Sequence, residues 1–375
     1  GSPYLVTGDV TVQSDQTLTI EPGVEVRFTE LSDDQGGGND ANRAELYVYG
    51  TILAEGTEAD SIVFTSNSQS PSSGDWYGIY LYQDYAHGTF SYNRIEYATY
   101  GIRMYYLFGS TSDTIRITHN LIRNSGTGIS DYYGKRYFII AGNVLQDLSG
   151  YGIYFEYGDW HSVARVQDNI VQQTNGIGMY IRYQDSVIVS GNTIDGGNNG
   201  GIEIQYTNAA LISGNSVLNQ SSNGIQLYNV DDATVTGCSV QNNNGWGIRL
   251  NRTNAVVENN EISGNNNGGV DVNTDFENPV TDTLRYNTIT NNGSYGIRNE
   301  NYARVTAQYN DLYGHSNYDF YNESSAWEEL DARYNWWGEE TTAEMDAGGN
   351  PKDIAKIYDY YDDNSLGFVN YGGWL

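Results

Sequence analysis

Cysteine is nearly missing from this chain. Cys238 is the only one, so no intrachain disulfide can form and the fold is not a stapled scaffold. Proline is sparse as well, with 5 in 375 residues. Set against abundant Gly, Asn, Tyr and Thr, that scarcity suits many short strands joined by tight turns. Basic charge is also short: 18 Lys and Arg face 47 Asp and Glu, a net charge of −29. Such a surface repels nucleic-acid phosphates and anionic lipid, so neither is an expected partner. Solubility is the plain reading of that charge, and an anionic polymer would need a local basic site or bridging cations. No apolar run approaches the ~18 residues of a membrane helix, and no membrane insertion is expected. Charged residues are 17% and hydrophobic ones 38%, a balance that excludes charge-driven disorder. The opening Gly1-Ser2 carries neither Met nor a signal-like segment. That is expected of a monomeric module from a larger exported chain, extracellular or on the cell surface.

What the chain does have is one phrase repeated. Gly201-Ile202-Glu203-Ile204, Gly224-Ile225-Gln226-Leu227, Gly247-Ile248-Arg249-Leu250 and Gly269-Val270-Asp271-Val272 follow one another at steps of 22 and 23 residues. A fixed period of this size signals a solenoid. Apolar and polar residues alternate inside each copy, which is a strand pattern. The Gly-hydrophobe step begins at Gly78 and continues through Gly101, Gly128, Gly152 and Gly178 to Gly296, and Asp319-Phe320 keeps the strand without the glycine. A second register places Asn at 93, 120, 143, 169, 192, 215, 260, 287, 310 and 335, with Cys238 standing where an Asn belongs.

These spacings predict parallel rungs stacked ~4.8 Å apart, so that like residues fall over like residues. Ile79, Ile102, Ile129, Ile153 and their successors then form an inward apolar column. The Asn register predicts a corner ladder of side-chain amides. The Gly register is expected to serve a positive φ. Cys238 reads as a small buried substitution, not a nucleophile. Residues 1–75 are expected to form an N-terminal cap and first rungs, 76–338 the regular repeats and 339–375 a C-terminal cap, all one domain. A short helix is expected over Pro351–Tyr358, and Trp336-Trp337 with Trp374 are suited to sealing the last rung. Asp33, Asp34 and Asp40, in a polar loop, are the one group that suggests a cofactor, calcium, although a surface loop is the commoner use of such a segment.

Two further stretches bear on kinship: Thr19-Ile20-Glu21-Pro22-Gly23-Val24 with Tyr49-Gly50-Thr51-Ile52, and Asn335-Trp336-Trp337-Gly338. With the repeat, they make the chain resemble the right-handed parallel β-helix proteins of the pectate-lyase-like superfamily. The resemblance implies an all-β, single-stranded, right-handed β-helix. It leaves function open among polysaccharide lyases, hydrolases, epimerases and adhesins. Asn273-Thr274-Asp275 matches the start of the polygalacturonase-like pattern, but the Asp-Asp, Gly-His-Gly and Arg-x-Lys do not follow. The Asp-Pro-His pattern of alginate epimerases is absent. Lys135, Lys352 and Lys356, the only lysines, all fall off the repeat strand.

The resemblance makes the outer face of the repeat strand the expected groove. Alternation sends the second and fourth residues after each Gly outward. The second-position column includes Tyr80, Tyr154, Tyr180, Glu203, Gln226, Arg249, Asp271 and Arg298. The fourth includes Tyr82, Tyr105, Glu156, Arg182, Gln205, Tyr228 and Glu300, and Tyr157, Tyr183 and Tyr206 follow at the strand end. Tyrosine supplies a flat apolar face and a hydroxyl at low entropic cost. With Arg, Gln and Glu, a row repeating every ~4.8 Å suits an extended polysaccharide, although tyrosine ladders also form good cross-strand pairs. For catalysis the candidate carboxylate pairs are Glu156 with Glu203 and, second, Asp271 with Glu300, as in glycosidases. His161 after Asp159 lies at the expected groove edge. A structural or adhesin module without glycan binding is the remaining alternative.

Overall fold

The computed structural model describes residues 1–108, 114–134, 137–158, 162–275, 280–324 and 328–375. The chain forms two compact units, Gly1–Asn198 and Asn199–Leu375. Both consist of parallel strands coiled as a right-handed β-helix, with almost no α-helix.

In the first unit, strands Trp76–Tyr82, Ala98–Tyr105, Thr127–Tyr132, Ile153–Glu156 and Met179–Arg182 pair in parallel. Their register sets Ile79, Ile102, Ile129, Ile153 and Met179 opposite one another, all buried. The second unit repeats the arrangement from Ile202–Ser213 to Tyr318–Ser324, with a buried column of Ile202, Ile225, Ile248, Val270, Ile297 and Phe320. Burying one such side chain stabilises by roughly 1.5–3 kcal/mol, and the coil repeats that contribution at every turn.

The glycines do not serve a positive φ. In the register from Gly78 to Gly296 only Gly78 has one, at 139°. Their reason is close approach: a Cβ at Gly224 would lie 2.7 Å from the Gly247 carbonyl oxygen and 2.4 Å from Val240 Cγ1. The left-handed residue is instead the one just before each ladder Asn, such as Tyr92, His119, Asp168, Asn259, Tyr286 and Tyr309.

The Asn ladder has the expected form. Asn93, Asn120 and Asn143 each donate both the backbone N–H and Nδ2 to Oδ1 of the next Asn at 2.8–3.0 Å. Asn260, Asn287 and Asn310 do the same in the second unit. A further ladder, not anticipated, runs through Gln220, Asn243, Asn265 and Asn292 to His315. Its last imidazole is held by Asp319 at 2.7 Å, the residue that replaces the register glycine.

Cys238 is buried in the first of these ladders, and burial pushes its thiol pKa up. Its backbone still donates to Asn260 Oδ1 at 2.9 Å, but toward this rung Asn215 Nδ2 meets a sulfur at 3.9 Å in place of an amide oxygen. Sulfur is a weak acceptor. Cys238→Asn should therefore raise the stability by about 1 kcal/mol, read as a higher midpoint in thermal or urea unfolding; an unchanged or lower midpoint would show that the site is shaped for sulfur.

Asp33, Asp34 and Asp40 have partners within the protein, and one local expectation, the helix, is corrected. Asp33 accepts the backbone N–H groups of Asp9, Gln35 and Gly37, Asp34 accepts the Thr7 hydroxyl, and Asp40 pairs with Arg43. Among the described residues no three Asp, Glu, His or Cys side chains form a metal-holding group. The short helix is not at 351–358 but at Gly338–Asp346, where Glu339 and Glu340 favour the positive end of the helix. Ile357–Tyr358 is a strand paired with Phe320–Tyr321, because Ile357 is needed over the core. Trp337 is buried, and Trp374 Nε1 donates to Asp346 at 3.0 Å.

Candidate functional site

The outward columns form as the alternation predicts. In the first unit Tyr80, Arg103, Ser130, Tyr154 and Tyr180 are in register, as are Tyr82, Tyr105, Tyr132 and Glu156. A parallel row, Tyr106, Tyr133, Tyr157 and Tyr183, turns the corner at φ values of 56–64°. Such angles are unusual for a bulky side chain and mark positions that Gly or Asn would fill more easily.

The rings are arranged differently from the expectation of open apolar faces. Tyr105 and Tyr132 stack at 5.3 Å, Tyr154 and Tyr180 at 5.4 Å, and the corner row at 5.0–5.3 Å. Tyr105 meets Tyr106, and Tyr132 meets Tyr133, edge to face. Each ring thus covers much of its neighbour, and the surface carries ring edges and hydroxyls at every rung. Tyr80 is a correction: it is 2% exposed, packed among Tyr47, Tyr77, Tyr82 and Tyr105, and is floor, not a contact surface. Burial pushes the Tyr132 hydroxyl up to about 12 and that of Tyr77 likewise to about 12, so both remain proton donors at neutral pH.

Arg182 ties this face together. It donates to Glu156 Oε1 at 3.1 Å, to the Tyr180 hydroxyl at 3.2 Å and to the Tyr183 hydroxyl at 3.0 Å. Glu156 also accepts the Tyr154 hydroxyl. Arg103 lies over Tyr100 at 4.4 Å and donates to the Tyr77 hydroxyl at 2.6 Å. Tyr77, Tyr100 and Tyr151, which directly precede the register glycines, were not singled out from the sequence. Their fixed place before Gly was the available signal.

In the second unit the face changes character. Glu203, Gln226, Arg249, Asp271, Arg298 and Tyr321 are in register, beside Gln205, Tyr228, Asn251, Asn273, Glu300 and Glu323. Glu203 accepts from Gln205 and from Gln226 at 3.3 Å. Tyr206 meets Tyr228 edge-on at 5.3 Å. Asp271 is fully buried between Arg249 and Arg298, at 3.0 and 2.9 Å. That enclosure removes it as a catalytic candidate, because no reacting atom can reach its oxygens. Arg298 also lies 4.6 Å over Trp246 and binds Glu300 at 2.9 Å. Burial, and then the charge of Asp271, raises the Glu300 carboxyl above its usual range.

The proposed pair of Glu156 and Glu203 is divided between the two units, and each carboxylate is engaged within its own. Asp159, His161 and Lys135 lie outside the described residues. No described helix is long and apolar enough to cross a membrane.

Comparisons with known proteins agree with this geometry at the level of fold. The family of the right handed beta helix region matches residues 132–284, and that of the pectate-lyase like beta helix domain matches residues 1–101. The chain is thus a right-handed parallel β-helix protein, with a pectate-lyase like match confined to its first 101 residues. Two solved structures are similar in fold, both A-modules of mannuronan C-5 epimerases from Azotobacter vinelandii. That of AlgE4 is 15% identical with a TM-score of 0.59, over 86% of this chain and 91% of that one. That of AlgE6 is 16% identical with a TM-score of 0.56, over 82% and 85%. No curated protein matches the sequence.

Proposed function

We propose that this protein acts outside the cytoplasm, binding an extended polysaccharide along the outer face of its repeat strands. The observation that carries the reading is the corner row of tyrosines in the first unit. Tyr106, Tyr133, Tyr157 and Tyr183 occupy left-handed positions that cost of order 1–2 kcal/mol each relative to glycine. They lie outside the buried core, and holding their hydroxyls along the groove edge is the use this reading assigns to them. Protonated tyrosine hydroxyls, Arg and Gln match sugar hydroxyls as donors and acceptors. The rung period of ~4.8 Å is close to the length of one sugar residue in an extended chain, so one residue per rung can meet the same set of groups. The epimerase modules of like fold are named for a polysaccharide, which supports the partner class.

Catalysis has a narrower basis. Glu300, with its raised carboxyl, suits a proton donor, but Asp271 is unavailable as its partner and the Asp-Pro-His pattern of alginate epimerases is missing.

The test is retention on a panel of immobilised polysaccharides. A Tyr154→Ala, Tyr180→Ala double variant should lose about tenfold or more in retention, since stacked aromatic pairs and their hydroxyl contacts each contribute about 1 kcal/mol. Retention equal to that of the parent, in a folded variant, would overturn the reading.

A further inference from the structure

We infer that a cavity at the edge of the second unit's outer face is a subsite for one neutral sugar residue. The inference rests on the polysaccharide reading above and names the class of sugar that this part of the face takes.

The cavity is about 340 Å³ and is lined by Tyr228, Asn251, Arg252, Asn273, Asp275 and Tyr302, among others. That volume is in the range of small-ligand sites. Its chemistry is mostly carboxamide and hydroxyl. Asn251 is half-buried, and its side chain has no hydrogen-bond partner among the described residues. Asn273 donates to Glu300 Oε2 at 2.9 Å and accepts from Asn301 at 3.0 Å. That leaves it one N–H and one lone pair. A carboxamide that offers a donor and an acceptor side by side fits two adjacent sugar hydroxyls.

The charges argue for a neutral ligand. Arg252 is the cation of the cavity, and it is already committed. Its Nη2 pairs with Asp275, its Nη1 donates to the Tyr228 hydroxyl at 3.1 Å, and its guanidinium lies 5.7 Å from that ring. Among the described residues of the lining no uncompensated positive group is left to receive a carboxylate or sulfate. Arg252 also has φ of 54°, an uncommon angle for a long side chain. It is kept there by the same two partners, so the wall is fixed before any ligand arrives.

Saturation-transfer NMR on the full chain tests this with glucose, galactose and N-acetylglucosamine against glucuronate and galacturonate. At least one neutral sugar should bind, and the uronates should bind more weakly than their neutral counterparts. Asn251→Ala should weaken the neutral sugar by about tenfold without changing the unfolding midpoint, because Asn251 holds nothing in the protein. Asn251→Asp, which keeps the shape and adds a charge, should weaken it at least as much. Stronger binding of the uronates, or parent-like binding by either variant, overturns the subsite. If the parent retains a polysaccharide while Asn251 proves indifferent, only the subsite falls. If no polymer and no sugar binds, the groove reading falls with it.

Discussion

An Asp282→Asn variant should be more stable than the parent above neutral pH, and the difference should shrink and then reverse as the pH falls to 4. Asp282 lies on the strand Thr281–Arg285, opposite Val305, and is fully buried. One carboxylate oxygen accepts from the Thr253 hydroxyl at 2.9 Å and from the Ala255 N–H at 2.7 Å. The other oxygen is buried without a partner among the described residues. Burial therefore dominates and lifts the carboxyl from 3.8 to about 7, against the pull of the two hydrogen bonds. The folded value lies above the unfolded one. The group's favourable contribution is then complete below pH 3.8 and is lost as the pH rises through 7. At about 1.4 kcal/mol per unit, that interval corresponds to roughly 4 kcal/mol. Asn keeps the acceptor and never ionises. Its amide N–H groups stand unpaired where the bare oxygen was, at about 1–3 kcal/mol. The net gain expected above pH 7 is about 1–3 kcal/mol by the same reasoning.

Urea midpoints of parent and variant between pH 4 and 8 measure this directly. A difference that stays constant across the range would remove burial of a charge as the cause. The slope will not vanish entirely in the variant. Glu45 in the first unit is also buried, with its carboxyl raised to about 7, and it adds a slope of the same sign.

Asp282 also marks a boundary of what the sequence makes legible. The inward column and the Asn register were readable because the period repeats them, and one substitution against a repeated background is visible, as at Cys238. Asp282 sits on a strand of the rung that carries no such marker, so nothing in the one-dimensional pattern sets it apart from a solvent-facing Asp. The second ladder, from Gln220 to His315, was hidden for a related reason. It changes residue type at both ends, and only contact in space shows that the five side chains do the same work.

On the candidate face, the columns were legible and the packing was not. Alternation places Tyr105 and Tyr132 outward correctly. It cannot say whether a ring turns its face to solvent or to the next ring, because that depends on side-chain torsions set by neighbours on adjacent rungs. Stacking won between like positions on successive rungs, as at Tyr105–Tyr132, Tyr154–Tyr180 and Tyr133–Tyr157, and Tyr80 sank to the floor because four rings surround it. Asp271 failed as a catalytic candidate for a similar reason. Sequence spacing brought Arg249 and Arg298 beside it, but only the geometry shows that they close over both oxygens. The glycine register misled in a different way. Glycine has two common uses, positive φ and close approach, and the repeat alone does not separate them.

Of all single substitutions in the ladders, Asn287→Ala should be among the most damaging. Asn287 Oδ1 accepts both the backbone N–H and Nδ2 of Asn260, at 3.0 and 2.9 Å. Its Nδ2 donates to the Val257 carbonyl at 2.8 Å and to Asn310 Oδ1 at 2.9 Å. All four groups are buried, so water cannot replace what alanine removes. The Asn260 N–H and the Val257 carbonyl are left unpaired, at about 1–3 kcal/mol each, and the space vacated by the amide adds to that. A loss of about 4 kcal/mol is expected, read from urea or thermal unfolding. Asn266→Ala is the control: its amide donates to Asn244 at 2.6 Å on the exposed surface, and its loss should cost less than about 0.5 kcal/mol. Cys238 explains why the ladder tolerates one interruption and should not tolerate this one. Its sulfur fills the position and keeps weak contacts with the Ile212 and Thr236 carbonyls at 3.7 and 3.6 Å, whereas a methyl group can make none. If Asn287→Ala behaved like Asn266→Ala, the ladder would be a consequence of the coil's geometry and not a source of its stability.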